Sequence, residues 1–184
     1  MSTIKEELSN FLLTGNDFVN EFSSLTAQQL NWKPDAQSWS IAQCLDHIIK
    51  SNKTYFPGFE RLHSKDYKLT FWEKINPLTA TTGRQMIESL GVEVKKKYKS
   101  PLIFSPAKSN IQASIVADFA THQEELIKII SKLSSEQFEK GIMTSPVAKL
   151  ISLNVKDVVR ILLVHERRHL QQALRVKTHE GFPK

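Results

Sequence analysis

The stretch Asn154–Val176, NVKDVVRILLVHERRHLQQALRV, decides the fold. Wound at about 100° per residue, it places Val155, Val158, Val159, Leu162, Ala173 and Val176 on one face. Arg160, Arg167, Arg168, Gln171 and Arg175 share the opposite face. His165, Glu166 and His169 fall with the apolar set. Asn154, with Asp157 three positions later, offers an N-cap and an acidic first turn. A lone histidine on an apolar face is ordinarily a hydrogen-bonded core residue. Two at i and i+4 with a carboxylate between them are harder to bury, because each ionisable group needs a partner. Residues at that spacing are neighbours on a helix surface, about 6 Å apart at Cβ, so two imidazoles there can grip one metal ion.

Working outward, three more amphipathic segments appear. Residues 3–23 carry Ile4, Leu8, Phe11, Gly15, Phe18, Val19 and Phe22 at 3–4 spacing, a core-packing face. Thr26 to Trp32 reads as a short helical turn closed by Pro34. Ser40 and Gln43 match a capping box, with Trp39 and Cys44 placed as a hydrophobic staple. The helix that follows from Ile41 bears Cys44, Leu45, Ile48, Tyr55 and Phe59 inward, with His47 at the border of that face and Pro57 as an interruption. A third long helix covers Ile111 to Leu133, with His122 in its apolar face. Between His63 and Asn110 periodicity weakens to one helical piece near Arg84–Leu90 and the run Lys95-Lys96-Lys97. Leu133–Val147 reads as a loop or short turn. No alternating strand pattern is present. These features predict an all-α four-helix bundle with a long crossover between helices two and three, as a single domain over 1–184. A connection of that length lets those two helices run parallel.

Composition narrows the function classes. A chain of 184 residues with 40% hydrophobic and 24% charged residues is ordinary for a globular domain with a sizeable core. The net charge of +6 is spread along the chain, and the lysine run reads as a solvated face. Charge alone does not make a nucleic-acid binder, and neither a recognition helix nor stacking aromatics are evident. One cysteine, Cys44, excludes an intrachain disulfide and suits a reducing compartment. The N-terminal MSTIKEELSN lacks a signal-peptide core, and no segment approaches 18 apolar residues, so the expected location is the cytoplasm, away from membranes.

The run His165-Glu-Arg-Arg-His169 satisfies H-E-x-x-H, the signature of zinc proteases. The rest of that pattern is missing. Gln172 and Arg175 stand where a glycine and a third histidine would be, and only 15 residues follow His169. A third ligand must come from another helix, and His47 and His122 are both on suitable faces.

Two blocks carry a resemblance. Trp39-Ser-Ile-Ala-Gln-Cys-Leu-Asp-His47 resembles the start of helix two in the DinB-like superfamily. Ser145-Pro146, Asp157, Val164–His169 and Gln171-Gln172 resemble that family's last helix and its approach. The resemblance implies a four-helix bundle with a crossover and a divalent metal on three histidines, here His47, His165 and His169. Three neutral imidazoles leave coordination positions open, the pattern of a catalytic rather than a structural site. An all-nitrogen set suits zinc or nickel and does not choose between them. Glu166 and His122 are the candidate catalytic groups, with internal pairing and core hydrogen bonding as their alternatives. Families of this kind with known activities imply a metal-dependent thiol S-transferase, or a related hydrolase, acting on a small molecule with a low-molecular-weight thiol. A non-catalytic metal- or ligand-binding stress protein is the alternative. A homodimer is compatible with either.

Overall fold

The computed structural model describes residues 3–91, 105, 110–146 and 148–184. The lysine run and the greater part of the expected crossover beyond Gly91 lie outside them. The first long helix, α1, spans Ile4–Phe22 and starts in a capping box, with Thr3 accepting from the Glu6 amide. The short α2 spans Ala27–Asn31. The predicted helix from Ile41 is two helices, α3 (Ile41–Lys53) and α4 (Phe56–His63), with Pro57 in the first turn of the second, where its missing N–H is harmless. Among the described residues the crossover holds two helices: α5 (Phe71–Ile75) and α6 (Thr79–Leu90). The third long helix, α7, spans Ile115–Ser131 rather than starting at Ile111. The Asn31 side chain explains the delay: it accepts from the Ile111 amide at 2.9 Å and donates to the Ile111 carbonyl at 2.8 Å, holding Ile111 outside the helix.

The expected loop between Leu133 and Val147 contains α8 (Ser135–Lys140) and the strand β1 (Ile142–Thr144). This strand pairs antiparallel with β2 (Ser152–Asn154), Met143 facing Leu153. Three-residue strands are too short for alternation to show in a sequence. The last helix, α9, spans Val155–Lys177 and follows β2 directly. Asn154 therefore ends a strand and starts a helix at once. Its side chain makes no capping bond to the helix amides and lies instead 3.4 Å from Asp157.

Helices α1, α3, α7 and α9 form the bundle, with α1 and α3 each packed on both α7 and α9. Paired residues give the directions. Glu7 meets Arg160 and Glu21 meets Lys177, so α1 and α9 run parallel. Phe18 packs on Phe119 at 4.6 Å while the Phe11 carbonyl accepts from Gln123, so α1 and α7 are antiparallel. Trp39 stacks on His169 and Asn52 bonds Glu166, so α3 and α9 are antiparallel as well. It follows that α3 and α7, the second and third bundle helices, run the same way, as the crossover allows. Phe11, Phe18, Phe22, Phe59 and Phe119 are fully buried along the bundle. Burying each side chain is worth roughly 1.5–3 kcal/mol, so the fold has its own apolar footing apart from the histidines.

Among the described residues, no helix is long and apolar enough to cross a membrane.

Gly15 lies against α7: a Cβ there would stand 2.7 Å from Gln123 Cγ. Gly15→Val is expected to lower stability by about 1–3 kcal/mol through overpacking, although valine is the better helix former. A shift of the urea midpoint to lower concentration at unchanged slope checks it. An unchanged or higher midpoint contradicts the packing.

Candidate metal centre

Two helices bring the ligands together. The Ser40 capping box fixes where α3 begins: Ser40 Oγ accepts from the Gln43 amide and Gln43 Oε1 accepts from the Ser40 amide, both at 3.1 Å. Two turns on, His47 is almost fully buried against α9. On α9, His165 and His169 lie one turn apart, the first half-buried and the second buried. His47 Nε2 stands 3.1 Å from His165 Nε2, and His169 Nε2 stands 3.0 Å from it. The structure thus groups His47, His165 and His169, with their donor atoms all within 4.8 Å of one another.

The donor set fits a divalent first-row ion. His165 Nε2 is within hydrogen-bond distance of both neighbours, yet a neutral imidazole nitrogen offers one hydrogen or one lone pair, not both. An ion between the rings would use all three lone pairs. At an ion–nitrogen distance of about 2.1 Å, nitrogens spaced 3.0–3.1 Å apart subtend an angle of about 95°. That is an ordinary coordination angle and leaves open positions. The two α9 rings are also held neutral, as ligands must be. Burial, then the charges of His47 and Arg168, push His165 down to about 3. Burial, followed by His165, His47 and Arg168, holds His169 well below the usual histidine range, with a hydrogen bond to Gln172 opposing.

Glu166 does not join this group. It is fully buried and faces the bundle interior, where Asn52 Nδ2 donates to Oε1 and Gln123 Nε2 donates to Oε2, both at 2.7 Å. Gln123 also donates to the Phe11 carbonyl at 3.2 Å. Burial raises the Glu166 carboxyl to about 8, against the pull of the two amides and of Arg167. The internal pairing that stands as the alternative to a catalytic role for Glu166 is thus with two amides. Arg167 is directed to α1 instead, donating to Asn10 Oδ1 at 2.8 Å.

His122, the other candidate ligand, lies apart from the three histidines. It is buried, stacks on Phe56 at 5.6 Å and an interplanar angle of 12°, and neither ring nitrogen has a partner. Burial, then Lys53, lowers it to about 4.

Four residues at or behind the centre escaped sequence reasoning. Asn52 and Gln123 each interrupt an apolar stripe, Leu45-Ile48-Asn52 on α3 and Val116-Phe119-Gln123-Leu126 on α7, which was the available signal. Trp39, placed as a staple, packs on the ligands themselves: its ring lies 4.8 Å from His47 and is nearly parallel to His169 at 5.6 Å. Arg168, read as part of the polar face, lies close enough to disfavour protonation of both His165 and His169.

The bundle has its second and third helices parallel, and three histidines that could hold a metal ion converge from its second and fourth. The chain belongs to the DinB superfamily, which it matches over residues 11–173. It is 30% identical over 159 residues to the uncharacterized protein YuaE of Bacillus subtilis (strain 168), covering 86% of this chain and 89% of that protein. No solved structure matches the chain significantly.

Two outcomes follow from the buried polar groups. Glu166→Ala strands the Asn52 and Gln123 amides and opens a cavity, and is expected to lower stability by about 2–5 kcal/mol. Glu166→Gln keeps the shape. A flip of Asn52 or Gln123, whose amide oxygens lack partners, restores its bonds, so a loss of no more than about 1 kcal/mol is expected. Equal losses in denaturant unfolding would contradict the network. For His122, the unfolded ring titrates near 6.5 and the folded one near 4, so unfolding takes up a proton between those values. Its contribution is intact above pH 6.5 and is lost as the pH falls toward 4, by roughly 3 kcal/mol. His122→Leu is expected to flatten the fall in stability over that window relative to wild type, measured by urea unfolding at each pH. An unaltered slope would contradict it.

Proposed function

We propose that this chain is a divalent-metal-dependent enzyme acting on a small molecule, of the thiol S-transferase type or a related hydrolase. The convergence of the His47 and His169 ring nitrogens on that of His165, at 3.1 and 3.0 Å, carries the reading. His47, His165 and His169 would hold the ion. A divalent ion there supplies a Lewis acid that lowers the pKa of a coordinated thiol or water.

The chain's own residues favour the transferase over the hydrolase. Hydrolysis profits from a general base close to the nucleophile, and the carboxylate of the H-E-x-x-H run is already bonded through both oxygens, in the interior. Transfer through a thiol asks less of the protein: neutral ligands, exclusion of water and orientation of the partner. The His165 and His169 rings are held neutral, and the half-buried Trp39 packs over His47 and His169 on one side. Glu166 acts here as a positioning residue, through α3 and α7, rather than as a proton acceptor. The same geometry serves a protein that stores or senses a metal without turnover, and exchange of a thiol at the bound ion separates the two readings.

Elemental analysis of untagged protein purified without chelators tests the site. Wild type is expected to carry close to one divalent ion per chain, zinc or nickel. His47→Ala, His165→Ala and His169→Ala are each expected to lose it, with only a modest drop in stability because the apolar core is separate. His122→Ala is expected to retain it. Full metal retention in the three histidine variants, or loss only with His122→Ala, would overturn the assignment. Thiol-dependent turnover that disappears with the metal would mark the protein as an enzyme rather than a store.

A further inference from the structure

The charge around the three histidines is one-sided. Among the described residues the cluster contains histidines alone, with no carboxylate. Glu166 is turned away from it, to Asn52 and Gln123. Three neutral ligands would leave both charges of a divalent ion uncompensated. The chain adds to this excess instead of cancelling it.

Arg168 is the residue that stands out. Four other buried or half-buried cations are matched to carboxylates, Arg61 to Glu73, Arg160 to Glu7, Lys156 to Glu139 and Lys177 to Glu21, and the half-buried Arg167 is taken up by the Asn10 and Thr14 side chains. Arg168 is half-buried too, yet among the described residues its one hydrogen bond runs from Nη1 to the Ser89 carbonyl at 3.3 Å, and no carboxylate pairs with it. It follows His165 by three positions and precedes His169 by one, so it borders the ligand face. Its charge acts on both rings. Arg175, two turns further along the same stripe, adds a second cation that repels the first and, among the described residues, is also without a carboxylate. Holding two like charges beside a metal position works against stability unless a ligand supplies the counter-charge. Guanidinium is also the side chain whose fixed fork matches an oxyanion.

We infer that the centre takes an anionic small molecule, whose carboxylate or phosphate group is bound by Arg168 at the rim while its other end faces His47, His165 and His169. This rests on the metal-site reading above. It makes Arg168 a specificity-determining residue: a neutral molecule of equal size leaves the guanidinium without a partner and binds less well. Arg175, being exposed, contributes a longer-range attraction that salt screens. Trp39 supplies the apolar wall opposite.

The test uses the full chain, loaded with cobalt(II) and checked by elemental analysis. Calorimetric titrations with succinate, orthophosphate and the neutral succinamide are compared in wild type, Arg168→Gln and Arg175→Gln. Wild type is expected to bind succinate or orthophosphate, whichever is tighter naming the oxyanion, and to bind succinamide at least about tenfold more weakly. Arg168→Gln is expected to weaken the anion by roughly tenfold or more, the size of a lost charge-assisted hydrogen bond. Arg175→Gln is expected to cause a smaller loss that vanishes at high salt. Equal anion affinity in Arg168→Gln, or succinamide bound as tightly as succinate, overturns the inference while leaving the metal site standing. If wild type takes up no cobalt, the metal reading fails. The same titrations on the metal-free chain then decide the anion site, for it if binding depends on Arg168 and against it if neither anion binds. Arg168→Lys keeps the charge but not the fork and serves if the glutamine variant fails to fold. A severalfold loss in it supports the assignment, and unchanged affinity overturns it.

Discussion

The Glu166 carboxylate, sealed from solvent and tied to Asn52 and Gln123 at 2.7 Å each, is the contact on which the arrangement of the bundle depends. A buried carboxylate that loses its donors is far more expensive than an exposed one. The helices that supply those donors are therefore not free to slide. Asn52 comes from α3 and Gln123 from α7, and Gln123 reaches on to the Phe11 carbonyl of α1. All four bundle helices meet at one small polar knot inside an otherwise aromatic and aliphatic core.

That knot sets the three-histidine cluster by simple geometry. Glu166 is the neighbour of His165, and Asn52 lies five residues beyond His47 on the antiparallel α3. Fixing Asn52 against Glu166 fixes His47 against His165 and His169, one turn away along the same interface. A slip of one residue is about 1.5 Å of rise and 100° of turn, enough to take His47 Nε2 off its partners. Gly15 belongs to the same device, since only a residue without a Cβ leaves room for the Gln123 side chain between α1 and α7. Apolar packing makes the bundle stable, and the polar contacts choose one register among the many that packing alone would accept.

Much of this was legible in the residues. The 3–4 spacing named the four helices, the Ser40–Gln43 pair fixed the start of α3, and the His165–His169 spacing marked one edge of a site. His47 was legible only through the resemblance of its surrounding block, because its meeting with His165 spans 118 positions of chain and depends on how helices neighbour one another. The β1–β2 hairpin and α8 were missed for lack of length, although Ser134 and Gln137 spell a capping box as plainly as Ser40 and Gln43 do. Thr70 and Glu73 do the same for α5. Asn52 and Gln123 could be seen as polar breaks in apolar stripes, but their partner could not, since that requires the register they themselves enforce.

The angular arithmetic of one helical turn explains why the H-E-x-x-H run does different work here than in a zinc protease. With His165 as origin and about 100° per residue, His169 lies about 40° to one side, Glu166 about 100° to that same side, and Arg168 about 60° to the other. Arg167 points nearly opposite. On this bundle the Glu166 side is the interior, occupied by Asn52 and Gln123, so the carboxylate becomes an anchor and not a base facing substrate. The Arg168 side faces the end of α6, where the guanidinium donates to the Ser89 carbonyl. Arg167 falls against α1 and is taken up by Asn10 and Thr14. The five letters fix only the angles, and what each side chain faces depends on which helices pack around them.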